Sequence, residues 1–111
     1  IGDRLHGHIV QGHIDGMGEL KSIEKKGDFF EFEFLVPNEI LSYIIEKGSV
    51  TVNGVSLTVN ECSSLGFKVT VIPYTFSETN FKFLTLGNKV NIEVDVIGKY
   101  VKHFLGNKVD K

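Results

Sequence analysis

The chain has 111 residues, of which 12 are basic and 14 acidic, and its formal net charge at pH 7 is -2. This length suits one domain with a single core and is too short for two. Because no basic cluster is longer than Lys25-Lys26, the sequence lacks the charged surface that a nucleic-acid backbone requires. No apolar run approaches the roughly 20 residues that cross a bilayer. We therefore expect a soluble, cytoplasmic protein with neither nucleic acid nor membrane as a partner.

Cys62 is the single cysteine, so an internal disulfide is excluded and a reducing compartment is favoured. No cysteine-based motif surrounds it, which favours a structural role over catalysis. The chain begins at Ile1 and not at Met. We therefore expect a processed product or a piece of a longer protein.

The first predicted elements are strands at residues 9–14 and 18–24, separated by the turn pair Asp15-Gly16. A third strand is predicted at residues 30–36, where Phe and Val alternate with Glu. The best helix candidate follows. Asn38 can cap it, Gly48 can end it in a left-handed conformation, and four apolar residues form a stripe between them, namely Ile40, Leu41, Ile44 and Ile45.

Asn53-Gly54 lies between two runs of strand-forming residues, and this pair is the strongest short-range signal for a two-residue hairpin. Strand alternation after the turn places Ser56 and Thr58 on one face and the apolar residues on the other. The two hydroxyls are then about 7 Å apart, twice the rise per residue. This spacing suits the polar atoms of a planar ligand, although a hydroxyl row on a strand is more often a solvated face.

The second half of the chain continues the strand pattern. A strand is predicted at residues 67–71, then a turn at Pro73 and an irregular stretch to Gly87, then a last strand at 90–96 and a short helix at 99–105. Six short strands with one inserted helix predict an all-β fold, a small antiparallel Greek-key barrel over residues 1–98. Residues 99–111 form a C-terminal helix and tail, whose apolar positions need a partner surface.

Further candidates for a site come from side-chain chemistry. His8 and His13 are five residues apart and would point to opposite faces of a strand, which is poor geometry for a metal. His13 follows Gly12, where a ligand can approach closely, so it is the better site candidate. Lys47 at the predicted helix end and Asp95 on the polar face of the last strand are either site residues or solvated charges.

The residues around Pro73 form a third candidate, because a strand ends there and its last backbone groups lose their ladder partners. Thr70, Ile72 and Thr75 surround this point. No Walker loop, nucleophile elbow, dinucleotide fingerprint or Cys-His metal spacing occurs in the sequence. The residues alone therefore support a small β-barrel with a polar, hydroxyl-rich ligand face.

Four blocks, in order and spacing, resemble the C-terminal barrel of riboflavin synthase, in the lumazine-binding domain superfamily: residues 7–15 (GHIVQGHID), 52–59 (VNGVSLTV), 72–75 (IPYT) and 87–95 (GNKVNIEVD). The resemblance implies two similar six-stranded barrels in tandem followed by a helix, and a homotrimer formed through the terminal helices. Each active site would lie between the N-terminal barrel of one subunit and the C-terminal barrel of another. There two molecules of 6,7-dimethyl-8-ribityllumazine would exchange a four-carbon unit, without a cofactor or metal, giving riboflavin and 5-amino-6-ribitylamino-pyrimidinedione.

The resemblance also implies roles for individual residues. His13, Ser56, Thr58 and Asp95 would be catalytic, with His13 as a proton shuttle and Asp95 binding ribityl hydroxyls or relaying protons. The substrate would further contact three groups of residues: Gly12, His13 and Ile14; Lys47, Ser56, Leu57 and Thr58; and Thr70, Val71, Ile72, Pro73, Tyr74 and Thr75. Tyr74 departs from the family, which commonly has His or Glu there.

The N-terminal barrel is absent from this sequence, so we expect the chain alone to be inactive or nearly so. Two alternatives stay open. One is a non-catalytic lumazine- or flavin-binding protein of the same superfamily. The other is a flavin-binding barrel from an oxidoreductase, which is disfavoured because the expected Arg-rich flavin-phosphate motif is missing.

Overall fold

A computed structural model of the chain describes residues 14–109. Its strands are β1 (Gly16–Lys26), β2 (Phe29–Leu35), β3 (Ser49–Val52), β4 (Val55–Cys62), β5 (Gly66–Val71) and β6 (Lys89–Val94). Its helices are α1 (Asn38–Leu41), α2 (Pro73–Glu78), a 3₁₀ helix (Asn80–Phe83) and α3 (Val96–Val109). The strands form a closed antiparallel barrel in the order β1-β2-β5-β4-β3-β6. This confirms the predicted all-β barrel of six strands.

Alternation along each strand fills the barrel interior. Phe32 and Phe34 of β2, Phe67 of β5 and Phe81 of the 3₁₀ helix are fully buried, together with Val and Ile side chains from the other strands. Phe81 packs edge-on against Phe32 at a centroid distance of 5.1 Å. Burial of this apolar set supplies most of the driving force for folding.

The predicted turn at Asp15-Gly16 is wrong. Gly16 is already part of β1 and pairs with Ile92, and the Asp15 N–H donates to the Ile92 carbonyl at 2.8 Å. Gly16 allows close packing at this point, since an added Cβ would lie 2.8 Å from the Ile40 side chain. The strand predicted at 9–14 lies outside the described residues except for Ile14, which is not in a strand.

Two predictions about helices also need correction. The stretch after Pro73 is not irregular, because Pro73 occupies the first turn of α2, where its fixed φ favours a helix. The left-handed residue before β3 is Lys47, with φ 72°, and not Gly48. α1 itself is only four residues long, although its stripe does bury Ile40.

The C-terminal helix begins at Val96, three residues before the predicted start, so the predicted boundary at 98/99 falls inside α3. The Asp95 side chain explains this start, because its Oδ1 accepts a hydrogen bond of 3.0 Å from the Ile97 N–H. Asp15, which directly precedes β1, fixes the same region. Its carboxylate accepts from the Val94 N–H and pairs with Lys99 Nζ, each at 2.9 Å or less.

Replacing Gly66 by Ala should destabilise the barrel, because the added Cβ would lie 1.9 Å from the Phe34 carbonyl oxygen of the neighbouring strand. We expect a loss of about 2–4 kcal/mol in the free energy of unfolding, measured by urea denaturation. Gly27→Ala is the control, since open space surrounds that position and only its positive φ opposes a side chain. The Gly27→Ala substitution should lower the free energy of unfolding by about 1 kcal/mol. Equal losses for the two variants would contradict the packing shown by the structure.

Candidate functional site

The β3–β4 hairpin closes with the predicted two-residue turn. Asn53 and Gly54 both have positive φ, 49° and 84°, as a primed turn requires. The Asn53 Oδ1 accepts a hydrogen bond of 2.7 Å from the Asn91 N–H, which ties the turn to β6. Asn80 Nδ2 donates to the Asn53 carbonyl at 3.2 Å. The turn therefore fixes the register of both strands relative to the rest of the barrel.

The register of this hairpin places four hydroxyls side by side on the outer surface. Ser49 pairs with Thr58 and Thr51 with Ser56, while their neighbours Val50, Leu57 and Val59 are buried inside. Among residues 14–109, none of these four hydroxyls has a hydrogen-bond partner in the protein. Outward hydroxyls without protein partners are available to a ligand.

The neighbouring strand continues the same surface. Val59 of β4 pairs with Val69 of β5, so continuing the antiparallel register by one residue places Thr58 alongside Thr70. Adjacent strands lie about 4.8 Å apart. We call the outward residues Ser49, Thr51, Ser56, Thr58 and Thr70 the hydroxyl face. It is broad enough for several polar atoms of one flat ring.

Sequence reasoning identified Ser56, Thr58 and Thr70 but missed Ser49 and Thr51. The signal was present, because a two-residue turn at Asn53-Gly54 pairs Val52 with Val55 and hence Thr51 with Ser56. Counting outward from the turn would have identified both residues.

An exposed apolar rim follows the hydroxyl face where β5 ends. Ile72 is 54% exposed and Tyr74, in α2, is 70% exposed, while Thr75 is half-buried. Pro73 begins α2 between them. These side chains can cover one face of a planar ring, while hydroxyls meet its polar edge.

Two predicted contact residues can take part only through the main chain. The side chains of Leu57 and Val71 are buried in the barrel core, at 7% and 0% exposure. The reason is strand alternation, which turns every second residue inward. A contact between either side chain and a ligand outside the barrel is therefore excluded.

The charged candidates border the hydroxyl face. Val50 of β3 pairs with Val94 of β6, which places Asp95 alongside Ser49 at the end of β6. Lys47 is exposed, and its N–H donates to the Val59 carbonyl at 2.8 Å, next to the outward residues of β4. The structure thus brings Lys47 and Asp95 to the end of β3 where Ser49 and Thr58 pair.

The remaining candidates precede β1. Ile14 is 51% exposed and stands next to Asp15, whose carboxylate accepts from the Val94 N–H. Ile14 is therefore close to Asp95 at the end of β6. Gly12 and His13 lie outside the described residues.

One ion pair among the described residues lies close to the hydroxyl face. Lys26 Nζ lies 3.0 Å from the Glu31 carboxylate, and Glu31 pairs with Thr70 across β2 and β5. Hydrogen bonding to Lys26 lowers the pKa of Glu31. The Glu31 carboxylate is therefore ionised, and accepts hydrogen bonds only, at neutral pH.

Residues 14–109 contain neither a metal site nor a membrane-spanning helix. No group of three His, Cys, Asp or Glu side chains there is arranged to hold a metal ion. No helix in that part of the chain is both long and apolar enough to span a membrane. An open groove does lie elsewhere, between β1 and the end of β2, lined by Met17, Gly18, Glu19, Leu35, Val36, Pro37 and Lys89.

Comparison with known proteins identifies the family. A family model described as lumazine binding domain matches residues 11–95, well over half of the chain. The chain belongs to the lumazine-binding domain family. The matched segment includes all six strands and the whole hydroxyl face.

Curated relatives of this lumazine-binding domain carry the name riboflavin synthase. That of Photobacterium phosphoreum is 46% identical over 102 residues, covering 92% of this chain and 47% of the relative. That of Actinobacillus pleuropneumoniae is 43% identical, covering 95% and 49%. That of Bacillus subtilis strain 168 is 42% identical, covering 92% and 47%. The chain thus spans about half the length of these relatives.

Solved structures of LumP have the same fold. LumP complexed with 6,7-dimethyl-8-(1'-D-ribityl)lumazine matches with a TM-score of 0.72 and 32% identity, over 79% of this chain and 49% of that one. LumP complexed with riboflavin matches with a TM-score of 0.69, also at 32% identity, over 75% and 45%. Each match covers about half of the LumP chain.

Replacing Lys47 by Gly should stabilise the domain, because φ 72° is a left-handed conformation that costs a side-chain-bearing residue about 1–2 kcal/mol. The greater freedom of glycine in the unfolded chain offsets part of this gain. We expect a net rise of about 0.5–1 kcal/mol in the free energy of unfolding, measured in urea. Lys25→Gly within β1 should instead be destabilising, and a loss of stability in both variants would contradict the expected release of strain.

The Cys62 thiol should react slowly in the folded domain. Burial, and then the carboxylates of Glu46 and Glu61, raise the pKa of Cys62, so less thiolate is present at pH 8 than in the unfolded chain. Alkylation by iodoacetamide at pH 8 should therefore speed up when urea unfolds the protein. Raising the pH should speed the alkylation of the folded form. Equal rates for the folded and unfolded chains at pH 8 would refute the raised pKa of Cys62.

Proposed function

We propose that this domain binds 6,7-dimethyl-8-ribityllumazine and riboflavin on its hydroxyl face, and that it forms half of a riboflavin synthase active site. The observation that carries the proposal is the set of unpartnered outward hydroxyls, Ser49, Thr51, Ser56 and Thr58, within a lumazine-binding domain. Relatives named riboflavin synthase and LumP structures holding a lumazine support the choice of ligand.

The chemistry of the reaction fits these residue types. The C7 methyl of a lumazine is acidic, because the ring delocalises the charge of its anion. An enzyme therefore needs to orient two rings and to assist proton transfer. Ser56 and Thr58 supply hydrogen bonds to one ring, and Ile72 and Tyr74 supply apolar contact. Transfer of a four-carbon unit between two such rings gives riboflavin and 5-amino-6-ribitylamino-pyrimidinedione.

The bordering residues complete the proposed site. Lys47 would contact the ligand, and Asp95 would bind ribityl hydroxyls or relay protons, although its Oδ1 also caps α3. Main-chain groups of residues 70–75 would hold the edge of the heterocycle. Gly12, His13 and Ile14 would face the second barrel, with His13 as a proton shuttle.

The partner in this proposal is a second, N-terminal barrel of the same family, and the complete protein would be a cytoplasmic homotrimer. The exposed apolar side chains of α3, Ile97, Tyr100 and Phe104, offer a surface for such assembly. The relatives are about twice as long as this chain, which agrees with a second barrel in the complete enzyme.

Binding is tested by titrating the chain into 6,7-dimethyl-8-ribityllumazine and following the fluorescence of the ligand. Ser56→Ala and Thr58→Val should each weaken binding about three- to tenfold, the usual value of one hydrogen bond. Thr85→Val, which removes an exposed hydroxyl from the loop before β6, is the matched control and should bind as the parent does. Unchanged affinity in both site variants would refute binding on the hydroxyl face.

Turnover is tested by adding the N-terminal half of the Bacillus subtilis relative to this chain and the lumazine. Riboflavin should form only when both halves are present. A non-catalytic lumazine-binding protein is the second candidate, because the LumP structures share the fold at 32% identity. Binding without turnover in the mixture would favour that candidate over the enzyme.

A further inference from the structure

A chain of polar side chains from neighbouring strands leads to Thr70 on the hydroxyl face. Asn60 of β4 donates a hydrogen bond through its Nδ2 to the Thr70 hydroxyl of β5. Glu31 of β2 pairs with Thr70 across the two strands, and Lys26 Nζ lies 3.0 Å from the Glu31 carboxylate. The register of β4 is irregular at Asn60, and such a bulge redirects a side chain.

The chemistry of the amide fixes the direction of this hydrogen bond. The Asn60 nitrogen carries two hydrogens and only donates, so the Thr70 oxygen is the acceptor. A hydroxyl that accepts from Asn60 must direct its own hydrogen elsewhere.

That hydrogen has no acceptor among the described residues. Within residues 14–109 the Thr70 hydroxyl donates no hydrogen bond, and Thr70 lies alongside Thr58 on the outer surface. The oriented O–H is therefore available to an acceptor on a molecule bound at the hydroxyl face.

We propose that Asn60 is a positioning residue, which fixes the Thr70 hydroxyl as a hydrogen-bond donor to the bound heterocycle. This inference rests on the proposed function and adds a prediction about which heterocycles the site prefers to bind. The site would favour a ring that presents a carbonyl oxygen or an unprotonated ring nitrogen at this edge. A ring presenting N–H there would be disfavoured, because two donors would face each other.

The test is a double-mutant cycle read by titration of 6,7-dimethyl-8-ribityllumazine at pH 8. Asn60→Asp keeps the shape of the side chain but replaces the amide donor by an acceptor, which would turn the Thr70 hydroxyl back toward position 60. We expect Asn60→Asp and Thr70→Val each to weaken binding about three- to tenfold. In the Thr70→Val background, Asn60→Asp should change affinity less than about twofold, since no hydroxyl remains to orient.

Two controls separate this role from a structural one. Thr70→Ser keeps a hydroxyl, so the full effect of Asn60→Asp should persist in that background. Asn91→Asp places the same charge on the exposed surface of β6, two strands from β4, and should leave affinity unchanged. Thermal melts check folding, and Thr70→Ala replaces Thr70→Val if the valine variant does not fold.

The outcomes are distinct. Equal losses from Asn60→Asp with and without the Thr70 hydroxyl, or no loss in either case, would overturn the positioning role while the proposed function stands. Failure of the unsubstituted chain to bind the lumazine would overturn the proposed function, and this inference with it.

Discussion

Closure of the barrel is the constraint on which the site depends. Each strand pairs with a neighbour on both sides, so the alternation of its side chains is fixed relative to the whole molecule. A shift of one residue in β4 would turn Ser56 and Thr58 into the core and expose Leu57 and Val59. The apolar interior thus enforces the register, and the register builds the hydroxyl face. The position of the hydroxyl face on the surface is therefore a consequence of how the apolar side chains pack inside the barrel.

The ends of the barrel are closed by segments with different roles. The 3₁₀ helix inserts Phe81 against Phe32, and Phe76 of α2 stacks on Phe30 at a centroid distance of 4.3 Å. α2 therefore does two things, since it covers the core at one end and carries Tyr74 to the rim of the hydroxyl face. At the other end, Asp15 links β1 to β6 and to α3, so the start of that helix is fixed relative to the site.

Much of this arrangement could be predicted from residue patterns, because alternation and turn chemistry are local signals. The alternating Phe and Glu of β2, and the Asn53-Gly54 turn, predicted both strand type and the outward direction of Ser56 and Thr58. The predictions that were wrong concern features that depend on tertiary contacts. Asp15-Gly16 has the composition of a turn, whereas the close approach of Gly16 to Ile40 is invisible in sequence, and Lys47 adopts a left-handed φ that local propensity assigns to Gly48. The bulge that directs Asn60 toward Thr70 likewise depends on pairing between strands.

The central claim is that a flat heterocycle binds outside the barrel, across β3, β4 and β5. Backbone NMR of the isotopically labelled chain during addition of 6,7-dimethyl-8-ribityllumazine tests it directly. Saturable shift changes should centre on the amides of Ser49, Ser56, Thr58, Thr70 and Ile72. Changes centred instead on the groove formed by Met17, Leu35 and Pro37, or no saturable change at all, would contradict the account.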